Sequence, residues 1–274
     1  LQEIWESKLE PVYPYRKAGP AVEKINGSLT APAAPKIGVA KPKVIIPVFP
    51  GTNCEYDTAK AFARAGADPE ILVVRNLTPA DVAESCEALV KAIDASQIVM
   101  LPGGFSGGDE PDGSAKFIAS FFRNPEVTEA VRRLLQQRDG LMLGICNGFQ
   151  ALIKLGLVPY GDIRPITPYD PTLTFNTIGR HQSMLVRTRI ASTGSPWLSK
   201  CEVGEQFTVA ISHGEGRFVA PQEVLDTLMK NGQIATQYVD IEGNPTMDQS
   251  YNPNGSVLAI EGITSPDGRV FGKM

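Results

Sequence analysis

The chain has 274 residues, a net charge of -4, and 42% hydrophobic against 20% charged residues. Such a composition suits a globular chain with a sizeable core, and the small negative charge without any Lys/Arg cluster argues against a nucleic-acid surface. No apolar run approaches the roughly 20 residues that cross a bilayer as a helix, no secretory leader is visible, and the scattered cysteines, Cys54, Cys86, Cys146 and Cys201, form neither a CxxC pair nor a metal-ligand spacing. The expectation is a reduced, cytoplasmic chain without disulfides or a metal.

Residues 1–40 read as an N-terminal extension: an amphipathic stretch, LQEIWESKLEPVYPYRK, then an Ala/Pro-rich stretch typical of semi-extended linkers. From Lys43 the pattern alternates. KVIIPVF is a buried strand, a helix follows over 55–65, EILVV is a second strand, a helix covers 80–93, and IVML is a third strand. After the loop PGGFSGGDEPDGS come helical stretches over 114–122 and 125–137, then the short strand LMLGI. Such alternation predicts an α/β fold, a doubly wound, mostly parallel sheet of flavodoxin-like type. Beyond residue 158 the rhythm becomes β-rich, with MLVRTRI, FTVAIS, IATQYV and VLAIEGI as strands and one helix over 223–230. SPDGRVF carries an Asp-Gly turn between two strand-like runs, a hairpin signal.

LMLGI ends at Cys146, and an apolar segment at helical spacing starts just after it. In an open α/β sheet the carboxyl ends of the strands are where ligands bind. The unpaired N–H groups of a helix start favour a thiolate there. Gly144 and Gly148 flank the thiol in a G-x-C-x-G pattern, the cysteine counterpart of a nucleophile elbow. Two readings fit this pattern: a nucleophile, or a small buried hydrophobe at a strand–helix junction. The loop LPGGFSGGDE ends the third strand on the same sheet edge, so Gly103 and Gly104 could offer N–H groups to an oxyanion together with the N–H of Asn147; a plain Gly-rich turn explains the same letters. FPGTNCEYD ends the first strand there too. Thr52, Asn53 and Glu55 in it either bind a polar substrate or supply a helix N-cap at Thr52 or Asn53.

Together FPGTNC at 49–54, LPGGFSGGD at 101–109, GICNGFQ at 144–150, SHGEGRF at 212–218 and SPDGRVFGKM at 265–274 resemble the class I (triad) glutamine amidotransferases. Within that family the chain is most similar to the glutaminase domains of phosphoribosylformylglycinamidine synthases. The motifs keep the family's order from about residue 41 to the last residue. The resemblance implies an amidotransferase domain over 41–274. It also implies that residues 1–40 are the connection from a preceding synthetase domain in the large, fused form of the enzyme. It implies Cys146 as the nucleophile that forms a glutamyl thioester, Gly104 and Asn147 as oxyanion donors, and Gln150, Phe105 and Asn53 at the glutamine pocket. Glutamine is then the substrate and the synthetase domain the partner. This domain holds no cofactor, while ATP and magnesium belong to the synthetase, which makes an amidine with the ammonia released.

A thiol nucleophile needs a base and an orienting carboxylate. In the family these form an H-x-E motif directly after GRVFGKM, whereas the sequence here stops at Met274; the expectation is that this chain by itself hydrolyses glutamine poorly. The two histidines are His181 and His213. His213 with Glu215 forms an H-x-E of its own. It would be a substitute base, a polar group beside the site or a loop residue, while His181 reads as structural or interfacial. Two rival functions remain at this level: a non-catalytic amidotransferase-like interaction module, and a γ-glutamyl hydrolase of the same fold. Cys54 is expected near the site and Cys86 in the core.

Overall fold

The structure, a computed structural model, describes residues 4, 7, 8, 19–27, 35, 38–106 and 115–274. Most of residues 1–18 and 28–37, and all of 107–114, lie outside it, and with them the amphipathic and Ala/Pro-rich readings of the N-terminus. In chain order the elements of the sheet's first half are β1 (Lys43–Val48), α1 (Glu55–Arg64), β2 (Asp68–Val73), α2 (Pro79–Ala95), β3 (Ile98–Leu101), α3 (Lys116–Phe122), α4 (Pro125–Arg132), β4 (Leu141–Ile145) and α5 (Asn147–Leu155). The second half adds β5 (Thr172–Thr174), β6 (Gln182–Ile190), β7 (Gln206–His213), β8 (Arg217–Val219), α6 (Gln222–Lys230), β9 (Ile234–Val239), β10 (Ile260–Thr264) and β11 (Val270–Lys273).

One nine-stranded sheet runs in the order β2-β1-β3-β4-β11-β10-β9-β6-β7, and β5 pairs with β8 alone. The first five strands make four parallel pairings, and the last four pairings are antiparallel. The 2-1-3-4-5 order of the parallel part is the flavodoxin-like one, with the strand order reversing between β1 and β3. The fifth parallel strand is β11, from the far end of the chain, in register with β4 as Lys273↔Ile145.

Strand alternation sorts the core. Ile45, Val99, Leu101 and Met142 face one side and pack with Leu89 and Ile93 of α2, Val131 of α4 and Phe149 and Leu152 of α5. Val44, Ile46 and Met100 face the other, where Ala59 and Phe62 of α1 cover them. Burial on both faces is why β1 and β3 read as unbroken apolar runs. α2 starts on a capping box: the Thr78 hydroxyl accepts from the Asp81 N–H at 3.1 Å and the Asp81 carboxylate accepts from the Thr78 N–H at 3.0 Å.

Two local readings change, and one pair of short strands was not read. The helix expected over 125–137 is α only to Arg132 and then widens into a π-turn, Arg133–Gln137, closed by Arg138 N–H on the Arg133 carbonyl at 3.0 Å. The strand expected over VLAIEGI begins only at Ile260, because Leu258 and Ala259 sit at φ of 52° and 54°, where an extended strand cannot continue. β5 and β8, three residues each, are too short to show a period. Of the N-terminal extension, residues 19–27 run across the antiparallel half. Ala21 bridges to Thr246 and Gly27 to Ser192. The buried Arg189 donates to the Ile25 carbonyl and the Asn26 side chain, each at 2.6 Å.

Candidate functional site

Cys146 forms the turn between β4 and α5 at φ 53°, ψ -106°, a conformation that costs a non-glycine residue on the order of 1–3 kcal/mol. Its own main chain is held on both sides. The Cys146 N–H donates to the Lys273 carbonyl at 2.8 Å, and its carbonyl accepts from Gln150 N–H at 3.0 Å. The flanking glycines permit the turn. A β-carbon on Gly148 would stand 2.0 Å from the Leu101 carbonyl oxygen, and one on Gly144 2.7 Å from the Gly148 main chain. Strand, turn and helix therefore approach as the G-x-C-x-G reading requires.

The thiol opens onto a cavity of about 380 Å³, lined by the loops after β1 and β3, by β7 and by Met274. That is the carboxyl edge of the parallel strands, at the reversal in strand order. Asn53, Gly104, Phe105 and His213 from the sequence reading all reach this wall, and so do Cys54, Gly103 and Ser212. The two loops brace each other: Phe105 N–H donates to the Gly51 carbonyl at 2.8 Å and Asn53 N–H to that of Gly103 at 3.4 Å. Gly104, at φ 143°, leaves no room for a β-carbon, which would meet the Gly51 carbonyl oxygen at 2.6 Å. The Asn147 N–H opens α5 and has no carbonyl to meet within the helix.

The N-cap expectation for Thr52 or Asn53 is corrected. Cys54 holds that position, with no side-chain cap. Thr52 turns its hydroxyl back to accept from the Phe49 N–H at 3.2 Å, and the Asn53 amide oxygen accepts from the Cys54 thiol at 3.2 Å. Cys86 is buried in α2.

Gln150 sits behind the wall. Ser106 N–H donates to the Asn147 amide oxygen at 3.2 Å, Asn147 donates to Gln150 at 2.9 Å, and Gln150 donates to the Glu215 carbonyl at 2.7 Å. This buried relay ties the loop after β3, the helix after the thiol and the HGEG turn into one unit. Sequence reading missed Ser106, Asn254 and Tyr238. Asn254 donates to the Gly216 carbonyl at 2.7 Å and to the Tyr238 hydroxyl at 3.0 Å. Burial, then the Glu261 carboxylate, raises the Tyr238 phenol well above its ordinary value. Glu261 is itself fully buried beside the Lys273 ammonium at 3.3 Å. No short motif announces these residues, because they lie on separate strands.

His213 is 3% exposed, and neither ring nitrogen has a hydrogen-bond partner, so it bonds neither the thiol nor Glu215. Burial lowers its pKa to about 4, and nearby His181 pushes the same way. It is therefore a neutral imidazole at neutral pH, facing the cavity. The alternative triad Cys146–His213–Glu215 is not formed as a hydrogen-bonded unit. His181 is exposed at the cavity mouth, with Nε2 2.8 Å from the Ser212 hydroxyl and its ring 6.1 Å from that of Phe105. Among the described residues no group of three or more His, Cys, Asp or Glu converges on a metal position, and no helix is long and apolar enough to cross a membrane.

Residues 41–274 match the family described as the CobB/CobQ-like glutamine amidotransferase domain. The chain is 35% identical over 240 residues to a protein of Methanococcus maripaludis named phosphoribosylformylglycinamidine synthase subunit PurQ, covering 85% of this chain and 80% of that one. It is 38% identical over 233 residues to a protein of the same name from Mycolicibacterium paratuberculosis, covering 85% of each. Among solved structures, one described as the structure of PurLQS from Thermotoga maritima superposes with a TM-score of 0.59 at 26% identity, covering 85% of this chain and 86% of that one.

Proposed function

The chain belongs to the CobB/CobQ-like glutamine amidotransferase domain family, and from that premise we propose that it is the glutaminase part of a phosphoribosylformylglycinamidine synthase. The observation that carries this reading is Cys146: a thiol held at positive φ at the start of a helix, opening on a cavity beside Gly103 and Gly104. Its sulphur attacks the side-chain amide carbon of glutamine. The developing oxyanion is received by the N–H groups of Gly104 and Asn147, ammonia leaves, and water releases glutamate from the thioester. The cavity is of the size that small ligands occupy, and its polar groups, Asn53, Ser212 and the neutral His213, suit the polar backbone of a free amino acid. Gln150 acts from behind, by fixing Asn147 and the Glu215 turn.

The family's base and carboxylate follow the β11 motif. Met274, the last residue of that motif, lines the cavity. Ammonia passes to an ATP- and magnesium-dependent synthetase that converts an amide to an amidine in purine biosynthesis in the cytoplasm. Residues 19–27 lie along the antiparallel half of the sheet, and we propose that residues 1–40 are the connection from the synthetase domain in a fused chain.

The test is mass spectrometry after incubation with a glutamine-like chloroketone. A single adduct, absent from a Cys146→Ala variant, is expected. No adduct, or one that persists in the variant, overturns the reading. Cleavage of γ-glutamyl peptides in preference to release of ammonia from free glutamine would replace it with a peptidase.

A further inference from the structure

Cys54 stands opposite the nucleophile, across a residue with no side chain. The point where a β-carbon on Gly103 would sit is 3.4 Å from the Cys54 sulphur and 3.5 Å from the Cys146 β-carbon. Those two groups are thus within roughly 7 Å of each other, and a disulfide needs its β-carbons about 3.5–4.5 Å apart. Both cysteines line the same cavity, and Cys54 is exposed in it. Its hydrogen bond to Asn53 is one a side-chain rotation breaks. The other two thiols are placed elsewhere: Cys86 is on the core face of α2, and Cys201 packs against the cluster of Ile190, Leu198 and Phe271.

We infer that Cys54 is the resolving partner of Cys146, so that a hydroperoxide entering the cavity converts the pair into a disulfide that reversibly blocks the nucleophile and spares it from over-oxidation. The inference rests on the reading of Cys146 as a reactive thiolate. In the first step the Cys146 sulphur attacks the peroxide. An S–O bond forms, the O–O bond breaks, the peroxide's other oxygen leaves with the thiol's proton as an alcohol (as water from hydrogen peroxide), and the sulphur is oxidised by two electrons to a sulfenic acid. In the second, the Cys54 sulphur attacks that sulphur, the S–S bond forms, and the S–O bond breaks. The departing hydroxide takes the Cys54 proton as a second water. Burial, Asp57 and Glu55 raise the Cys54 pKa, which keeps it a thiol and leaves first attack to Cys146 at the helix start. A dithiol reverses the whole change.

The experiment treats the protein with hydrogen peroxide, blocks remaining thiols, and maps peptides without reduction. A linked Cys54–Cys146 peptide is expected, with loss of two hydrogens from the intact mass, loss of chloroketone labelling, and full recovery of labelling after dithiothreitol. In Cys54→Ser the same dose should leave Cys146 carrying two oxygens and unlabelled, with no recovery. An unlinked, doubly oxygenated Cys146 in the unsubstituted protein would sink the inference, as would equal recovery in Cys54→Ser or a link to Cys86 or Cys201. Chloroketone labelling before peroxide separates the two readings. If untreated Cys146 is never labelled, the proposed function fails along with the inference; if it is labelled but never linked, only the inference fails.

Discussion

Gly148 is the point where the nucleophile's helix rests on the sheet, and Gly148→Ala tests how finely the thiol is placed. The added β-carbon would lie 2.0 Å from the Leu101 carbonyl oxygen and 2.7 Å from its carbon. Carbon–oxygen approaches of this kind settle at about 3.3–3.6 Å, so α5 must retreat from β3 by more than 1 Å. The obstacle is main chain in the middle of a sheet, which cannot rotate aside. Overpacking therefore falls near the upper end of its usual range, about 3 kcal/mol. Alanine's better helix propensity offsets at most about 1 kcal/mol of that. The net loss is about 2 kcal/mol, or a melting temperature lower by about 4–8 °C. Because Cys146 moves with the helix, a shift of that size should slow chloroketone labelling about 10²-fold. Gly103→Ala is the control: its β-carbon meets nothing closer than 3.4 Å, so its melting temperature should match the parent. Parent-like melting and labelling in Gly148→Ala would refute the placement of the elbow against β3.

Other outcomes follow from single interactions. The His213 imidazole, with its pKa lowered to about 4, resists protonation in the folded state, while the unfolded chain takes the proton near pH 6.5; stability is therefore lost as pH falls between these values, by about 2 kcal/mol at pH 5. His213→Leu should remove that part of the slope in chemical denaturation run from pH 7 to 5, and equal slopes in the two proteins would show that the ring is solvated. Thr78→Ala breaks the capping box of α2 and should lower unfolding free energy by about 1 kcal/mol in urea, without a change in chloroketone labelling. Arg189→Met removes the donors to Ile25 and Asn26; amide exchange at Val22 and Gly27 should become fast while that of β1 and β3 is unchanged, and continued protection would show that the strand bridges alone hold the segment.

The parallel half of the fold was legible because its strands are buried on both faces and its helices on one, so period and apolar run length separate cleanly. KVIIPV, IVML and LMLGI all sit where their letters place them. The antiparallel half was legible as strands but not as a sheet: nothing in VFGK says that it inserts beside β4 rather than beside β10 alone. The break before β10 was invisible because Leu258 and Ala259 are not residues that advertise positive φ. In the site, Cys146 and its glycines could be read because the elbow is a local device with a local spacing. The N-cap reading failed because Thr52 and Asn53 are engaged within their own loop. The Ser106–Asn147–Gln150–Glu215 relay could not be read, since it joins residues up to 65 positions apart.

That inserted strand bears on the strain at Cys146. A turn at φ 53° persists only where its surroundings over-determine it, and two main-chain bonds do so here. The bond from Gln150 N–H is local and comes with the helix. The bond to the Lys273 carbonyl is not: it depends on β11 having docked parallel to β4, which requires the Asp-Gly turn and β10 to be in place. Gly272 makes the docking possible, since a β-carbon there would stand 2.2 Å from the Phe149 ring. The buried Glu261 then anchors Lys273 from the neighbouring strand. The nucleophile's backbone is thus completed by β11, a strand remote from it in sequence. The same strand carries Met274 to the cavity wall, beside the thiol whose turn it holds.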